Sequence, residues 1–206
     1  MANIRLEQMG DEDGIRRVNE AAFGRPDEAA LVDALRGSEA VICSLVAEEA
    51  GAIIGHILFS VAALTSHSQS VSPPDNQPAS QTPHQPAGQL EDEPGNHPPN
   101  QPAGQSPSRP LAALGPMAVA PTHQRQGIGG QLIVAGLEFC RAAGYDLAIV
   151  LGHREYYPRF GFRPAAPLGI RWEHGAEAHF MVLELRPGAL AGVSGVARYR
   201  PEFDGV

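Results

Sequence analysis

Between residues 111 and 151 the sequence runs from an apolar segment, LAALGPMAV, through an amphipathic one to a second apolar segment, LAIVL. That order constrains the fold more than any other feature of the chain. The middle segment, 126–143, spaces Ile128, Leu132, Ala135 and Phe139 three or four residues apart, with Ile133, Leu137 and Cys140 beside them and Gly144 just past the end. This is one face of a helix, stopped by a residue that tolerates a left-handed backbone. The flanking runs read as buried strands, so strand, helix and strand predict two parallel neighbours joined by a right-handed crossover. Gly115-Pro116 interrupts the first strand, where a bulge is expected. The expected class is α/β.

Other elements are shorter. Residues 4–6 read as a strand, and 13–22 and 26–36 as helices, the second with Pro26 in its first turn and Gly37 just beyond its end. The runs 41–47 and 52–64 are separated by Glu48, Glu49, Ala50 and Gly51, the pattern of a hairpin. A short helix over 154–160 and a closing strand over 178–185 complete the list. Composition breaks between residues 65 and 108. These 44 residues hold ten of the 19 prolines, seven glutamines and no aromatic residue, with only Val71, Ala79, Ala87, Leu90 and Ala103 apolar. Such a segment cannot supply a core. It reads as a disordered, partly polyproline-like insertion within a single domain spanning 1–206; its Gln-Pro pairs offer a proline-binding partner a handle, but no P-x-x-P flanked by basic residues is present, so an inert insertion is the expectation. Closing so long a loop costs little, because the entropy grows only logarithmically with length.

All 15 basic residues are arginine. A chain without lysine cannot build a Walker phosphate loop, a Schiff-base enzyme or an S-x-x-K serine enzyme. The net charge of −8, to which 65–108 contributes −4, argues against general binding to nucleic acid or anionic membranes. Cys43 and Cys140 are distant in sequence and set among apolar residues, which predicts two buried thiols and no structural zinc framework. The N-terminal residues turn acidic before an apolar signal core could form, and no run of about 18 apolar residues follows, so a cytoplasmic location is expected.

Chemistry concentrates where the first strand of the central unit passes into its helix, VAPTHQRQGIGG over 119–130. Glycines there let backbone amides approach a ligand, and the helix N-terminus adds partial positive charge, so the turn suits a pyrophosphate. Arg125 adds a full charge beside it. The dinucleotide fingerprint G-x-G-x-x-G, with an acid about 20 residues on, is not met.

The Q-x-x-G-x-G of this turn, after a strand ending Ala-Val-Ala-Pro, resembles motif A of the GCN5-related N-acetyltransferases (GNAT). HREYYPRFGF over 153–162 is similar to that family's Y-x-x-x-G-F segment, and GHILFS over 55–60 with FMVLEL over 180–185 brings the pattern nearest to the bacterial YhbS-like acetyltransferases. The resemblance covers the chain apart from the insertion. It implies a mixed sheet splayed between the 111 and 147 strands, with acetyl-CoA as cosubstrate in the opening. Its pyrophosphate would lie on Gln124, Arg125, Gln126, Gly127, Ile128, Gly129 and Gly130, and its pantetheine arm would pair with the backbone of Met117 and Val119. The insertion falls where the family has a short connection, and no lysine is available for the adenosine phosphate.

The resemblance further implies acetyl transfer to a primary amine, on a small molecule or a protein, by direct attack, with Tyr157 as proton donor to the leaving thiolate. For the base, Glu48, Glu49, His56, His153 and a water chain all stay open. H-R-E at 153–155 spells the H-x-E of zinc deaminases, but the P-C-x-x-C of that site is missing, and no metal is assigned. The alternative is an inactive CoA-binding module acting through its Pro/Gln-rich loop. A homodimer is left open.

Overall fold

A computed structural model describes residues 2–65, 110–175 and 178–205. They fall in one unit, Met1–His67 with Pro107–Val206. Past Thr65, the segment read as an insertion lies outside the described residues. The elements follow in the order β1 (Asn3–Leu6), α1 (Glu12–Phe23), α2 (Asp27–Gly37), β2 (Val41–Glu49), β3 (Ala52–Thr65), β4 (Leu111–Val119), α3 (Ile128–Ala142), β5 (Leu147–Leu151), β6 (Arg163–Pro164), β7 (Ile170–Trp172), β8 (Phe180–Glu184) and β9 (Gly195–Arg198). The main sheet is ordered β1-β2-β3-β4-β5-β8-β6, and β9 bridges the end of β3 to β7. Among the described strands, only β4–β5 and β7–β9 run parallel.

Side-chain alternation along β2 and β3 explains why both sheet faces are covered. Leu45, Ala47, Ile57 and Phe59 enter the core beneath α3, with Leu132, Ile133 and Leu137. Val46 and Leu58 enter the opposite core, beneath α1 and α2, with Ile15, Leu31, Val32 and Leu35. Removing a side chain of this size from water stabilises the fold by about 1.5–3 kcal/mol. Cys43 on β2 and Cys140 on α3 meet inside the first core. Their thiols hydrogen-bond each other, which with burial pushes the Cys140 thiol up, so both serve as packing.

Several boundaries differ from expectation. Glu48 and Glu49 belong to β2, and the hairpin turns on Ala50 and Gly51 alone, with φ of 49° and 80°. Both are positive, as a two-residue turn matching strand twist requires, and Ala50 fills a place that asparagine or glycine usually takes. Gly37 is the last residue of α2, and the Ser38 hydroxyl closes the helix by donating to the Leu35 carbonyl at 3.0 Å. Helix α3 starts at Ile128 rather than 126. The helix expected over 154–160 reduces to a single tight turn, Tyr157–Phe160, because Pro158 removes a donor and Gly161 takes φ 93°. Strands β6, β7 and β9 are two to four residues long, too short for a period-2 pattern, and exist through their partners. No helix among the described residues is long and apolar enough to cross a membrane.

Candidate active site

The parallel pair β4–β5 holds for four residues, from Leu111↔Leu147 to Leu114↔Val150, and then separates. Beyond the cis Gly115-Pro116 bond, β4 stays on β3, through Met117↔Ile57, Ala118↔His56 and Val119↔Gly55, with the expected bulge skipping Leu58. Ala120 N–H donates to the Ile54 carbonyl at 2.8 Å, which makes Gly55↔Val119 a non-hydrogen-bonded pair. Alternation along the ladder then turns the peptide groups of Val119 and Met117 away from β3, into the notch that β5 has left. The Val119 carbonyl accepts from Gln124 Nε2 at 3.1 Å.

The notch opens on a cleft of about 860 Å³. Its lining includes Met117, Val119, Gln124, Arg125, Gly127, Ile128, Gly129 and Gly130. Gln126 is not in the lining, since its Nε2 turns back to the Thr122 carbonyl at 3.2 Å. Gly127 starts α3 with φ 85°, a left-handed turn that aims the helix axis at the cleft. The first helical bond is Gln131 N–H to the Gly127 carbonyl, so the amides of 128–130 have no acceptor within the helix. Arg125 also sits in the left-handed region, at φ 61°, an unusual place for a side chain of its size. Arg159, His123 and His153 join it, and the described lining contains no carboxylate. On a chain of net charge −8, that is a local cluster of basic side chains.

Beyond Met117 and His153 lies a second cavity of about 410 Å³. Tyr157 lines this cavity and not the first, whereas its neighbour Tyr156 lines the first, the two rings meeting edge to face at 5.3 Å. The Tyr157 ring packs directly over Gly152, where any side chain would overlap it. Burial pushes its hydroxyl up, and Tyr156 nearby adds to this, so the proton is held. Sequence reasoning missed most of this cavity. Phe23, Glu28, Trp172, Tyr199 and Phe203 come from four elements with no shared motif, and only Trp172, the sole tryptophan, carried a signal. Arg159 stood within the quoted 153–162 segment, and its guanidinium lies 4.4 Å from the Tyr156 ring centre.

The four residues considered as bases separate cleanly. Glu48 is held by Arg5 Nε at 2.7 Å, and Glu49 lies 3.6 Å from His123 at the hairpin end. His56 is wholly buried between Asn19 Nδ2, 3.1 Å from its Nδ1, and Ser44 Oγ, 3.0 Å from its Nε2. Burial there lowers its pKa to about 3, with Arg36 adding to the shift, so the ring stays neutral. His153 alone of the four lines both cavities.

The family model described as the acetyltransferase (GNAT) domain matches residues 96–164. YjhQ of Escherichia coli (strain K12), described as an uncharacterized N-acetyltransferase, is 32% identical to the chain, over 91% of it and 87% of the relative. Among solved structures, Escherichia coli YhbS in complex with CoA superposes with a TM-score of 0.74 at 27% identity, covering 98% of this chain and 92% of that one. A GNAT family acetyltransferase from Brucella melitensis in complex with acetyl-CoA gives a TM-score of 0.66 at 30% identity, covering 99% of both. With the sheet opened between β4 and β5 and likeness running through nearly the whole length, the chain belongs to the GNAT acetyltransferase family and has its fold.

Proposed function

We propose that the protein transfers the acetyl group of acetyl-CoA to a primary amine by direct attack. The observation that carries this reading is the pair of peptide edges at Met117 and Val119, which face a notch floored by the start of α3 and lined by arginine and histidine. An extended amide-bearing arm can add to such an edge as a further strand, and a pyrophosphate suits the amides of 128–130 with Arg125 beside them. Two relatives of the same fold hold CoA or acetyl-CoA.

The reaction follows from what an amide-forming attack requires. The neutral amine nitrogen donates its lone pair to the thioester carbonyl carbon, the carbonyl oxygen becomes an oxyanion, and the C–S bond then breaks. A peptide N–H of the Met117–Val119 edge stabilises the oxyanion. Tyr157 gives its proton to the leaving thiolate, a role that fits a hydroxyl kept protonated by burial. The proton lost by the amine passes to His153, which stands where the two cavities meet.

The test is release of free CoA from acetyl-CoA with a panel of primary amines. Amine-dependent release is expected. If the protein binds acetyl-CoA but releases none with any amine, the alternative of an inactive CoA-binding module replaces this reading.

A further inference from the structure

The parting of β4 from β5 needs two causes, one to stop the ladder and one to keep the strands apart. Gly152 N–H donates to the His179 carbonyl on the β8 side at 3.0 Å, so the alternate residue, Leu151, turns its peptide groups toward β4. After Leu114↔Val150, the next donor that β4 would offer the Leu151 carbonyl is residue 116, and Pro116 has no N–H. The missing rung ends the ladder. It does not push two apolar strands apart.

What stands at the fork is a pair of rings from the segment that follows β9. Phe203, in the tight turn Pro201–Phe203, lies on the β4 side, its Cε1 3.3 Å from where a Cβ on Gly115 would stand. Tyr199 lies on the β5 side, its buried hydroxyl against the Leu151 peptide N–H. The two rings meet edge to face with centres 4.9 Å apart, so one packed unit touches both strands where they separate. Each ring is anchored away from the fork. Phe203 packs on the core of Ile15, Leu31 and Leu35, and Tyr199 on that of Ala113, Ile149 and Ala197. Close-packed rings of this kind resist compression and pass strain on to what they touch. Neither residue belongs to the described lining of the first cleft, so any effect they have on a ligand there passes through the strands.

On the reading of the notch as the seat of the cosubstrate's arm, we infer that Tyr199 and Phe203 are positioning residues that hold the fork open, and so set how well the Met117 and Val119 edge receives that arm without touching it.

Two readouts separate this role from general support of the fold. In the unliganded protein, the N–H groups of Met117 and Val119 face the notch without a strand partner, and their exchange with solvent, followed by NMR, reports its width. Phe203→Ala lets β5 close on β4, so exchange at these two amides is expected to slow about tenfold, whereas general loosening would speed it. Calorimetry supplies the second readout. CoA carries the arm and ADP only the pyrophosphate end, so Phe203→Ala should weaken CoA about tenfold, the loss of one or two hydrogen bonds between arm and edge, and leave ADP unchanged. Phe203→Leu keeps bulk against Gly115 and should hold CoA affinity within about threefold of the wild type. Tyr199→Phe keeps both rings, removes only the oxygen at Leu151 and should weaken CoA alone by about threefold, which carries the test if Phe203→Ala does not fold. The inference is overturned if exchange at Met117 and Val119 quickens or stays unchanged, or if CoA and ADP weaken by the same factor. Slowed exchange in Phe203→Ala, with no CoA bound by the wild type, would instead count against the cosubstrate reading and leave the two rings as the prop of the fork.

Discussion

The two cavities that meet at Met117 are made of different material. The first, which we propose takes the cosubstrate, is largely a backbone site: peptide edges of β4, the amides of 128–130 and a left-handed glycine, most of it from one run of fourteen residues, 117–130. The aromatic cavity is a side-chain site, assembled from α1, α2, β4, β7 and the C-terminal segment. Backbone chemistry is common to every sequence that adopts the turn, whereas a wall of side chains depends on which residues the chain supplies. A site of the first kind tolerates changes of side chain, whereas one of the second kind changes its ligand with them.

This contrast can be broken most sharply at Tyr157, the residue of the second cavity whose proposed work is chemical. Tyr157→Phe retains the ring over Gly152 and removes only the proton donor, so kcat should fall about 100-fold while acetyl-CoA affinity by calorimetry stays near that of the wild type. A kcat close to wild type, with single-turnover rates confirming that product release is not masking the step, would remove Tyr157 from the chemistry.

A second effect lies under the cosubstrate cleft. His56 pairs with Ala118 behind the notch and is held neutral, its pKa lowered to about 3 from 6.5. Between those values the unfolded chain takes up a proton that the folded one refuses. Stability is thus complete above about pH 6.5 and falls as the pH drops toward 3, by about 2 kcal/mol at pH 5. Asp11, held below the usual carboxylate range by Arg5, shifts stability in the same direction at lower pH. Urea denaturation at pH 7, 6 and 5 measures this, and His56→Gln should flatten the dependence over that window.

Smaller effects separate backbone from side chain within the cleft. Gly129→Asp places a carboxylate among the amides of 128–130, with its Cβ 2.8 Å from the Tyr156 hydroxyl, which must shift, and should weaken acetyl-CoA about tenfold. Wild-type protein at about 100 times the dissociation constant gains roughly 2.7 kcal/mol, so the loss is visible as a reduced melting shift. Arg125→Gly is the mildest. It frees a strained φ of 61° and removes one exposed cation, so the unliganded protein should gain up to about 1 kcal/mol while acetyl-CoA binds about threefold more weakly. An unchanged affinity would place the anion site on the amides alone.

What was legible in the sequence follows the same division. The turn at 119–130 could be read because its parts are consecutive and its glycines answer a backbone requirement at fixed spacing. The central strands and α3 could be read because periodicity over five or more residues survives in one dimension. Gln126 fell outside the cleft because a motif fixes the backbone path while the direction of one glutamine side chain depends on Thr122. Glu28, Tyr199 and Phe203 gave no signal, since each is an ordinary residue until a distant segment packs against it. His56 was legible only as a histidine on a strand; its burial between α1 and β2 required Asn19 and Ser44, 37 and 12 residues away.

The separation of β4 from β5 also means that the protein carries a sheet edge inside itself. Exposed edges usually need defending with charge, proline or a covering loop, because any extended chain can join them. Here Pro116 sits at the parting, the Gln124 amide covers the Val119 carbonyl, and α3 with the Tyr157–Phe160 turn stands across the opening. With the opening crossed in this way, the pair of peptide groups that we propose for recognition is also an edge defended against aggregation.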